Sequence, residues 1–246
     1  GAAVVSMAST LMVEANLTEA QVQEALGITG DVDLLSFDPF AAGADAATAA
    51  AIETKSHQVS AVVTSMTAAA KASGVSAADS FTESLKAVAT LVQQKVTARE
   101  GGDNTAVVDL TDATQLSTVA DTVATAVTTK AASDGTIDAV AFSNMQATVV
   151  TAVKNVNNEI ATNITTTNFK NSDGAKIYSV SQVLVDQVTE AVAAEKVTKG
   201  TGATSVTFSK ASAVTTAAAN AAPTDIDLVV DGVTLDEGAS VSISEG

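Results

Sequence analysis

The side chains of this chain that could do chemistry are mainly carboxylates, because it has no cysteine and a single histidine, His57. Carboxylate oxygens suit hard cations such as calcium and also general acid–base work. One imidazole alone cannot make a zinc site, and the sequence has no Gly-x-Ser-x-Gly elbow, phosphate-binding loop or dinucleotide fingerprint. We therefore interpret His57 as a structural residue, exposed or half-buried on a helix.

The stretch 133–138 resembles the middle of a calcium-binding EF-hand loop. Lys130, Ala132 and Ala141 stand where the first, third and twelfth ligands would have to supply oxygen atoms. A second such stretch, 171–174, fails in the same way, because an aromatic residue takes its first ligand position. The first stretch therefore predicts a turn followed by a helix N-cap.

A further acidic cluster surrounds the glycine pair at 101–102. It contains Asp103, Asn104, Asp109 and Asp112, which together could hold a cation weakly. The same residue types also form turns and cap helices, and that interpretation is favoured because such caps are common.

The overall charge limits the partners of this chain. Acidic residues number 28 against 12 basic ones, which gives a formal net charge of −16. This surplus repels a phosphate backbone, so no nucleic-acid partner is expected. No run of 18 or more uninterrupted apolar residues occurs, so no membrane span is expected either.

Helical periodicity dominates the first 200 residues, although valine and threonine favour strands. Apolar residues recur at steps of three and four and form five stripes, each of which predicts one helix face. Short Gly- and Asp-rich breaks between the stripes indicate antiparallel neighbours. The predicted fold is all-α: an antiparallel helical bundle of about five long helices after short N-terminal helices, with a short C-terminal β-segment. The stripes are Ile52, Val59, Val63 and Met66; Phe81, Leu85, Val88, Val92 and Val96; Leu116, Val119, Val123 and Val127; Val149, Val153, Val156, Ile160 and Ile164; and Ile177, Val180, Leu184, Val188 and Val192.

Two shorter helices are predicted before the bundle, over residues 4–14 and 18–26. Thr18 is the expected N-cap of the second, and Gly27 the residue that ends it. The loop 31–40 that follows is expected to tuck its apolar side chains against the bundle.

The C-terminal region changes to a period of two, which is typical of strands. Asp231-Gly232 is a tight-turn signal between two short apolar runs. We predict four segments: short N-terminal helices over 1–40, the bundle over 41–198, a connector over 199–222, and an incomplete β-repeat or β-tail over 223–246. A third short run follows at Val241 and Ile243. Three short strands do not make a stable domain in water, so the chain is expected to be a piece of something longer.

Two consecutive stretches near the N-terminus carry a resemblance to a known family. The first is Leu17-Thr18-Glu19-Ala20-Gln21-Val22 to Ala25-Leu26-Gly27-Ile28, and the second is Asp33-Leu34-Leu35-Ser36-Phe37-Asp38-Pro39. Together they resemble an Ala-rich helical region of very large secreted or surface proteins of marine and aquatic bacteria. The shared pattern is a short helix ending in Leu-Gly, an Asp-Pro loop, and a long Ala-rich helix. This resemblance implies an extracellular or cell-surface location in a bacterium.

Two C-terminal stretches carry a second resemblance: Ala222-Pro223-Thr224-Asp225-Ile226 and Leu235-Asp236-Glu237-Gly238. They resemble the opening of a bacterial cadherin-like or related immunoglobulin-like tandem repeat. In that family calcium stiffens the junctions between repeats. The resemblance implies calcium as the cofactor, with Glu237 as the best-matched ligand and Asp236 and Asp225 as weaker ones. The later ligand segments of such a repeat are absent from this sequence.

Together these features predict a non-enzymatic structural or interaction module of a large extracellular bacterial surface or adhesin protein. Its expected partners are adjacent β-repeat domains of the same protein or neighbouring copies of itself. One alternative is a filament or surface-layer subunit that assembles through C-terminal strand addition. Another, from a different class, is a metal-dependent enzyme or ligand binder with a carboxylate-lined cleft. The small share of aromatic residues, 3%, argues against a sugar cleft.

Overall fold

The computed structural model describes residues 7–30, 32–41, 43–166, 229–230 and 233–234. The helical class predicted from the periodicity is confirmed for the described part of the chain. Its six helices are α1 (Met7–Ala15), α2 (Glu19–Leu26), α3 (Ala46–Ala72), α4 (Ala77–Glu100), α5 (Ala113–Ser133) and α6 (Ala139–Asn163). The fifth long helix, predicted around residues 177–192, lies outside the described residues.

Helices α2 to α6 each begin after a polar residue whose side chain accepts a backbone N–H of the first turn, which would otherwise lack a partner. These caps are Thr18, Asp45, Ser76, Asp112 and Asp138. The predicted cap at Thr18 is confirmed, and Gln21 completes a capping box with it. Gly27 ends α2 in the left-handed conformation at φ 69°, where glycine carries no Cβ penalty.

The four long helices pack as neighbours around an aliphatic core. Helix α3 contacts α4 and α6, while α5 contacts the same two helices; α1 and α2 lie against α4. The stripe of α5 is buried at all four positions that the periodicity predicted, as are the central positions of the other described stripes. The largest fully buried side chains include Phe142, Leu11, Leu26, Met66, Leu110, Leu116 and Ile160.

Phe81 is the exception to this agreement. The sequence pattern predicts it as the first core residue of α4, but half of its surface is exposed, at 50%. Ser80 and Ser84 are fully buried on the same two turns, and Ser84 donates its hydroxyl to the Ser80 carbonyl oxygen at 2.7 Å. Small residues therefore occupy the interface here, and a ring as large as that of Phe81 is turned out of it.

The loop between α2 and α3 follows the prediction only in part. Val32 and Leu34 are buried, and Phe37 packs against Ala49 and Ala50 at the start of α3. Leu35 and Phe40 remain exposed, in contrast to the expected tucking of the apolar side chains. Two α2 side chains anchor the buried part: Gln23 donates to the Val32 carbonyl oxygen, and Glu19 accepts the Leu34 N–H.

The short α3–α4 turn meets the α5–α6 connection through backbone atoms. The N–H of Asp138 donates to the carbonyl oxygen of Ser73 at 2.8 Å. Next to it, Gly74 has φ 99°, and a Cβ added there would lie 2.9 Å from the carbonyl oxygen of Thr136. This close approach requires a residue without a side chain.

The chain divides into two compact units, residues 1–208 and 209–246. In the second unit, β1 (Val229–Val230) and β2 (Val233–Thr234) pair antiparallel, with Val229 opposite Thr234 and Val230 opposite Val233. The turn predicted at Asp231-Gly232 falls on residues that the structure does not describe. Among the helices of the described residues, none combines the length and the apolar character needed to cross a membrane.

Candidate functional site

The connection between α4 and α5, residues 101–112, carries the acidic cluster that the sequence singled out. Asp103 accepts the backbone N–H and the hydroxyl of Thr105, at 3.0 and 2.7 Å. Asp109 accepts the same two groups of Thr111, at 2.9 and 2.6 Å. Asp112 caps α5 by accepting the N–H of Gln115 at 2.9 Å. The interpretation of this cluster as turns and caps is confirmed.

These local hydrogen bonds also set the ionisation of the cluster. The hydroxyl and backbone N–H of Thr105 hold the pKa of Asp103 below its ordinary value of 3.8. Burial of Asp109 acts to raise its pKa, but the hydrogen bonds from Thr111 and the positive charge of Lys55 outweigh it, so that this pKa is also lowered. Both carboxylates are therefore ionised when they hold their turns.

The other candidates from the sequence have local roles as well. Asp134 accepts the backbone N–H and hydroxyl of Thr136, and Asp138 caps α6 by accepting the Ala141 N–H at 2.9 Å. The predicted turn and N-cap are confirmed there. His57 is half-buried on α3, with its Nε2 atom 3.5 Å from Oε2 of Glu53 one turn earlier.

The most unusual polar feature is a set of side chains on α3 and α6 that we call the polar clasp: Lys55, Gln58 and Asn157. Lys55 donates through Nζ to the carbonyl oxygen of Val108 at 3.0 Å. Asn157 donates through Nδ2 to the carbonyl oxygen of Leu110 at 2.8 Å. Gln58 joins the two helices by donating through Nε2 to the backbone oxygen of Asn157 at 3.1 Å. The clasp thus holds two carbonyl groups of the α4–α5 connection inside the core.

Other helices hold the same connection from further sides. The N–H of Val108 donates to the carbonyl oxygen of Ala25, the second-last residue of α2, at 2.7 Å. Arg99, near the end of α4, donates to the carbonyl oxygen of Asn104 at 2.7 Å and pairs with Glu24 at 3.3 Å. Together with the cap on α5, contacts from α2 to α6 converge on this one connection.

The electrostatics of the clasp depend on Lys55. Burial lowers the pKa of its ammonium group from the ordinary 10.5, and the negative charge of Asp109 opposes that shift. A charged group in such a place needs a partner, because an unpaired buried charge is costly. The Val108 carbonyl oxygen and the nearby Asp109 carboxylate meet that need.

An open groove runs between α2 and α4, with a volume of about 460 Å³. Its lining is rich in amides and hydroxyls, including Gln21, Gln94 and Thr97. Glu100 accepts a hydrogen bond from Gln21 Nε2 at 2.9 Å. Glu100 is the one carboxylate among the described residues that line this groove.

The metal ligands that the resemblance implied, Asp225, Asp236 and Glu237, lie outside the described residues, so they stay predictions. Within the part of the chain that the structure describes, no three histidine or carboxylate side chains come together as a metal-binding group.

Sequence reasoning missed all three clasp residues. A signal for two of them was present, because Asn157 lies between Val153 and Ile160 on the apolar stripe of α6. Gln58 similarly stands one turn before the buried Val62 on α3. An amide at a core position of a helix must find a partner, and the sequence does not tell which.

Comparison with protein-family models, with curated proteins and with solved structures found no match to this chain.

Proposed function

We propose that this chain is a non-enzymatic structural and interaction module of a large extracellular bacterial surface or adhesin protein. In this proposal the module is an antiparallel bundle of about five long helices followed by a short C-terminal β-segment. The observation that carries it is the polar clasp, through which the core holds the longest of the connections between the four long helices. Such a connection suits a rigid spacer or anchor.

The use of the polar side chains supports a structural role. Catalytic and binding residues usually sit on loops that project from a rigid scaffold. Here the loop is itself part of the scaffold, because Val108 and Leu110 are fully buried and their carbonyl oxygens accept side-chain donors. Buried donors that serve backbone groups stabilise one arrangement of helices and present no group to a substrate.

The acidic residues support the same conclusion. Asp103, Asp109 and Asp134 each hold a threonine-containing turn, while Asp112 and Asp138 cap helices. Their carboxylates are directed at their own backbone and do not converge on a shared point. The remaining surplus of negative charge suits a solvated exterior.

The proposed partners are adjacent β-repeat domains of the same protein or neighbouring copies of the chain. Calcium held by Asp225, Asp236 and Glu237 at a repeat junction is part of this proposal. The alternative of a filament or surface-layer subunit is favoured by one observation: within the described residues, β1 and β2 pair over two residues each, and a two-stranded ribbon by itself is marginally stable in water. Strands from a second copy would extend it.

The test compares the full chain with a chain that lacks residues 223–246. Helicity by circular dichroism and the helical melting temperature should be the same in both, because the clasp and the core lie within residues 7–166. Light scattering then separates the two candidates: an assembly that only the full chain forms indicates strand addition, and monomers in both indicate a module that needs its adjacent repeats.

A loss of helicity when residues 223–246 are deleted would contradict the proposal of an independent helical module. The same two chains are also melted in calcium and in chelator. We expect calcium to raise only a melting transition of residues 223–246, which the shortened chain lacks, and to leave the helical melting temperature unchanged; identical curves in calcium and in chelator would remove calcium from the proposal.

A further inference from the structure

Two oxygen atoms in the polar clasp accept no hydrogen bond from any described group of the protein. They are Oε1 of Gln58 and Oδ1 of Asn157. Both side chains are buried, with 2% and 0% of their residue surface exposed. A buried amide oxygen without a donor is costly, and native interiors pair nearly all such atoms.

Rotating the amide groups does not remove the problem. Gln58 directs its NH₂ group at the backbone oxygen of Asn157, and Asn157 directs its own at the carbonyl oxygen of Leu110. A half-turn of either amide would put two oxygen acceptors face to face and would lose a hydrogen bond. The two free oxygens are therefore fixed by the donors beside them.

A donor to these two oxygens has to be small enough for the core. Water fits this description, since globular proteins contain on the order of one buried water per 27 residues, typically bound to polar groups of this kind. The groups beside the two oxygens are polar, as bound water requires: the two amide groups, and the backbone oxygens of Asn157 and Leu110 to which they donate.

A cation is disfavoured by charge and by ligand number. Lys55 lies three residues before Gln58 on α3, so that the two side chains are neighbours on one helix face. Its ammonium group already donates into the same connection, at Val108. A metal ion beside it would meet a like charge, and two amide oxygens fall well short of the six or more oxygen ligands that calcium takes.

We propose that Gln58 and Asn157 form an internal hydration site, in which bound water donates hydrogen bonds to Gln58 Oε1 and Asn157 Oδ1. The water completes the contact between α3 and α6 beneath the α4–α5 connection. It is as much a part of the clasp as the side chains, because removing it would leave both oxygens unpaired.

The first experiment detects water in the wild-type full chain. Cross-relaxation between water and the side-chain NH₂ protons of Gln58 and Asn157 is measured by NMR on ¹⁵N-labelled protein. Long-lived contacts at both groups are expected, since internal water exchanges slowly. A wild type without such contacts would overturn the proposal, whatever any variant does.

The second experiment counts internal waters by ¹⁷O relaxation dispersion. In the double variant Gln58→Met with Asn157→Leu, which keeps the volume and removes both amides, the count should fall by at least one. Ser84→Ala is the matched control, because the buried hydroxyl of Ser84 is already satisfied by donating to Ser80 at 2.7 Å. Its count should equal that of the wild type. An unchanged count in a double variant that keeps its helical circular dichroism would contradict the proposal.

The third experiment tests for a cation directly. Wild type and the double variant are melted in sodium, potassium and choline chloride at equal ionic strength. Equal melting temperatures across the three salts are expected for both proteins. A melting temperature that is higher in sodium or potassium chloride than in choline chloride, in the wild type alone, would mean that a cation occupies the site. That result would contradict the hydration proposal.

Discussion

The connections between the long helices are held in two different ways. The α4–α5 connection is fixed by side chains that reach it from other helices, above all Asn157 and Lys55. The α3–α4 turn and the α5–α6 connection are fixed against each other by backbone atoms at Ser73 and Asp138, beside a glycine that leaves no room for a side chain. The first arrangement depends on which side chains are present. The second depends on the absence of a side chain at Gly74.

This difference predicts where the protein tolerates substitution. A connection held by side-chain donors should lose its hold when a donor is removed, and an addition on its solvent side should matter little. A connection held by close backbone contact should tolerate the removal of a side chain, but it should be destabilised when a side chain is added at the point of contact. Three substitutions, from the largest expected effect to the smallest, test this comparison.

Asn157→Ala should have the largest effect. It opens a cavity on α6 and leaves the buried carbonyl oxygen of Leu110 without its donor, which together should lower the free energy of unfolding by about 3 kcal/mol. Urea unfolding measures the loss, and amide hydrogen exchange at Val108 should accelerate as the connection loosens. The control is the exposed neighbour, Asn158→Ala, which should stay within about 0.5 kcal/mol of the wild type. Equal losses in the two variants would show that the clasp does not hold the connection.

Gly74→Ala should have the second-largest effect and lower the free energy of unfolding by about 2 kcal/mol. The new Cβ would meet the Thr136 carbonyl oxygen at 2.9 Å, in a backbone conformation that already disfavours a side chain. Gly102→Ala is a matched control, because Gly102 has a similar φ of 102° but a Cβ there meets nothing within 4 Å. The control should lose only the conformational part, about 1 kcal/mol. If both alanine variants melt alike, backbone contact contributes nothing at the α3–α4 turn.

Lys55→Met should have the smallest effect, visible as a change in pH dependence. Burial lowers the pKa of Lys55 in the folded chain below its ordinary value of 10.5. At pH values between the lowered pKa and 10.5, the unfolded state therefore binds more protons than the folded state. The free energy of unfolding of the wild type should therefore rise with pH across that window. The methionine variant should lack this rise.

The matched control for this pH effect is Lys71→Met, at the exposed end of α3, which should keep the rise seen in the wild type. Urea unfolding at several alkaline pH values provides the measurement for all three proteins. A rise of the same size in the Lys55 variant would mean that another group is responsible, and the buried charge would then have no part in the clasp.

Local features of this fold could be predicted because their causes lie within a few residues. The cap at Thr18 and the end of α2 at Gly27 follow from contacts spanning three to five positions. The stripe of α5 follows from the helical period. Phe81 could not be placed in the same way, because its exposure depends on how closely α4 approaches its neighbours at Ser80 and Ser84.

The candidate site was predictable in its turns and unpredictable in its core. The role of Asp112 as a cap follows from its place just before an apolar stripe. The partners of Gln58 and Asn157 do not, since an amide can serve any carbonyl group that the fold brings near. The C-terminal calcium ligands, Asp225, Asp236 and Glu237, stay predictions from resemblance.

The sequence by itself determined where the helices begin and end, and which face of each is apolar, because hydrogen bonds between near neighbours and the helical period set both. Only the tertiary structure decided which polar groups meet inside. Gln58 reaches a backbone oxygen 99 positions away, and Asn157 one 47 positions away. Contacts over such separations exist only once the helices have packed, and they make the α4–α5 connection part of the core.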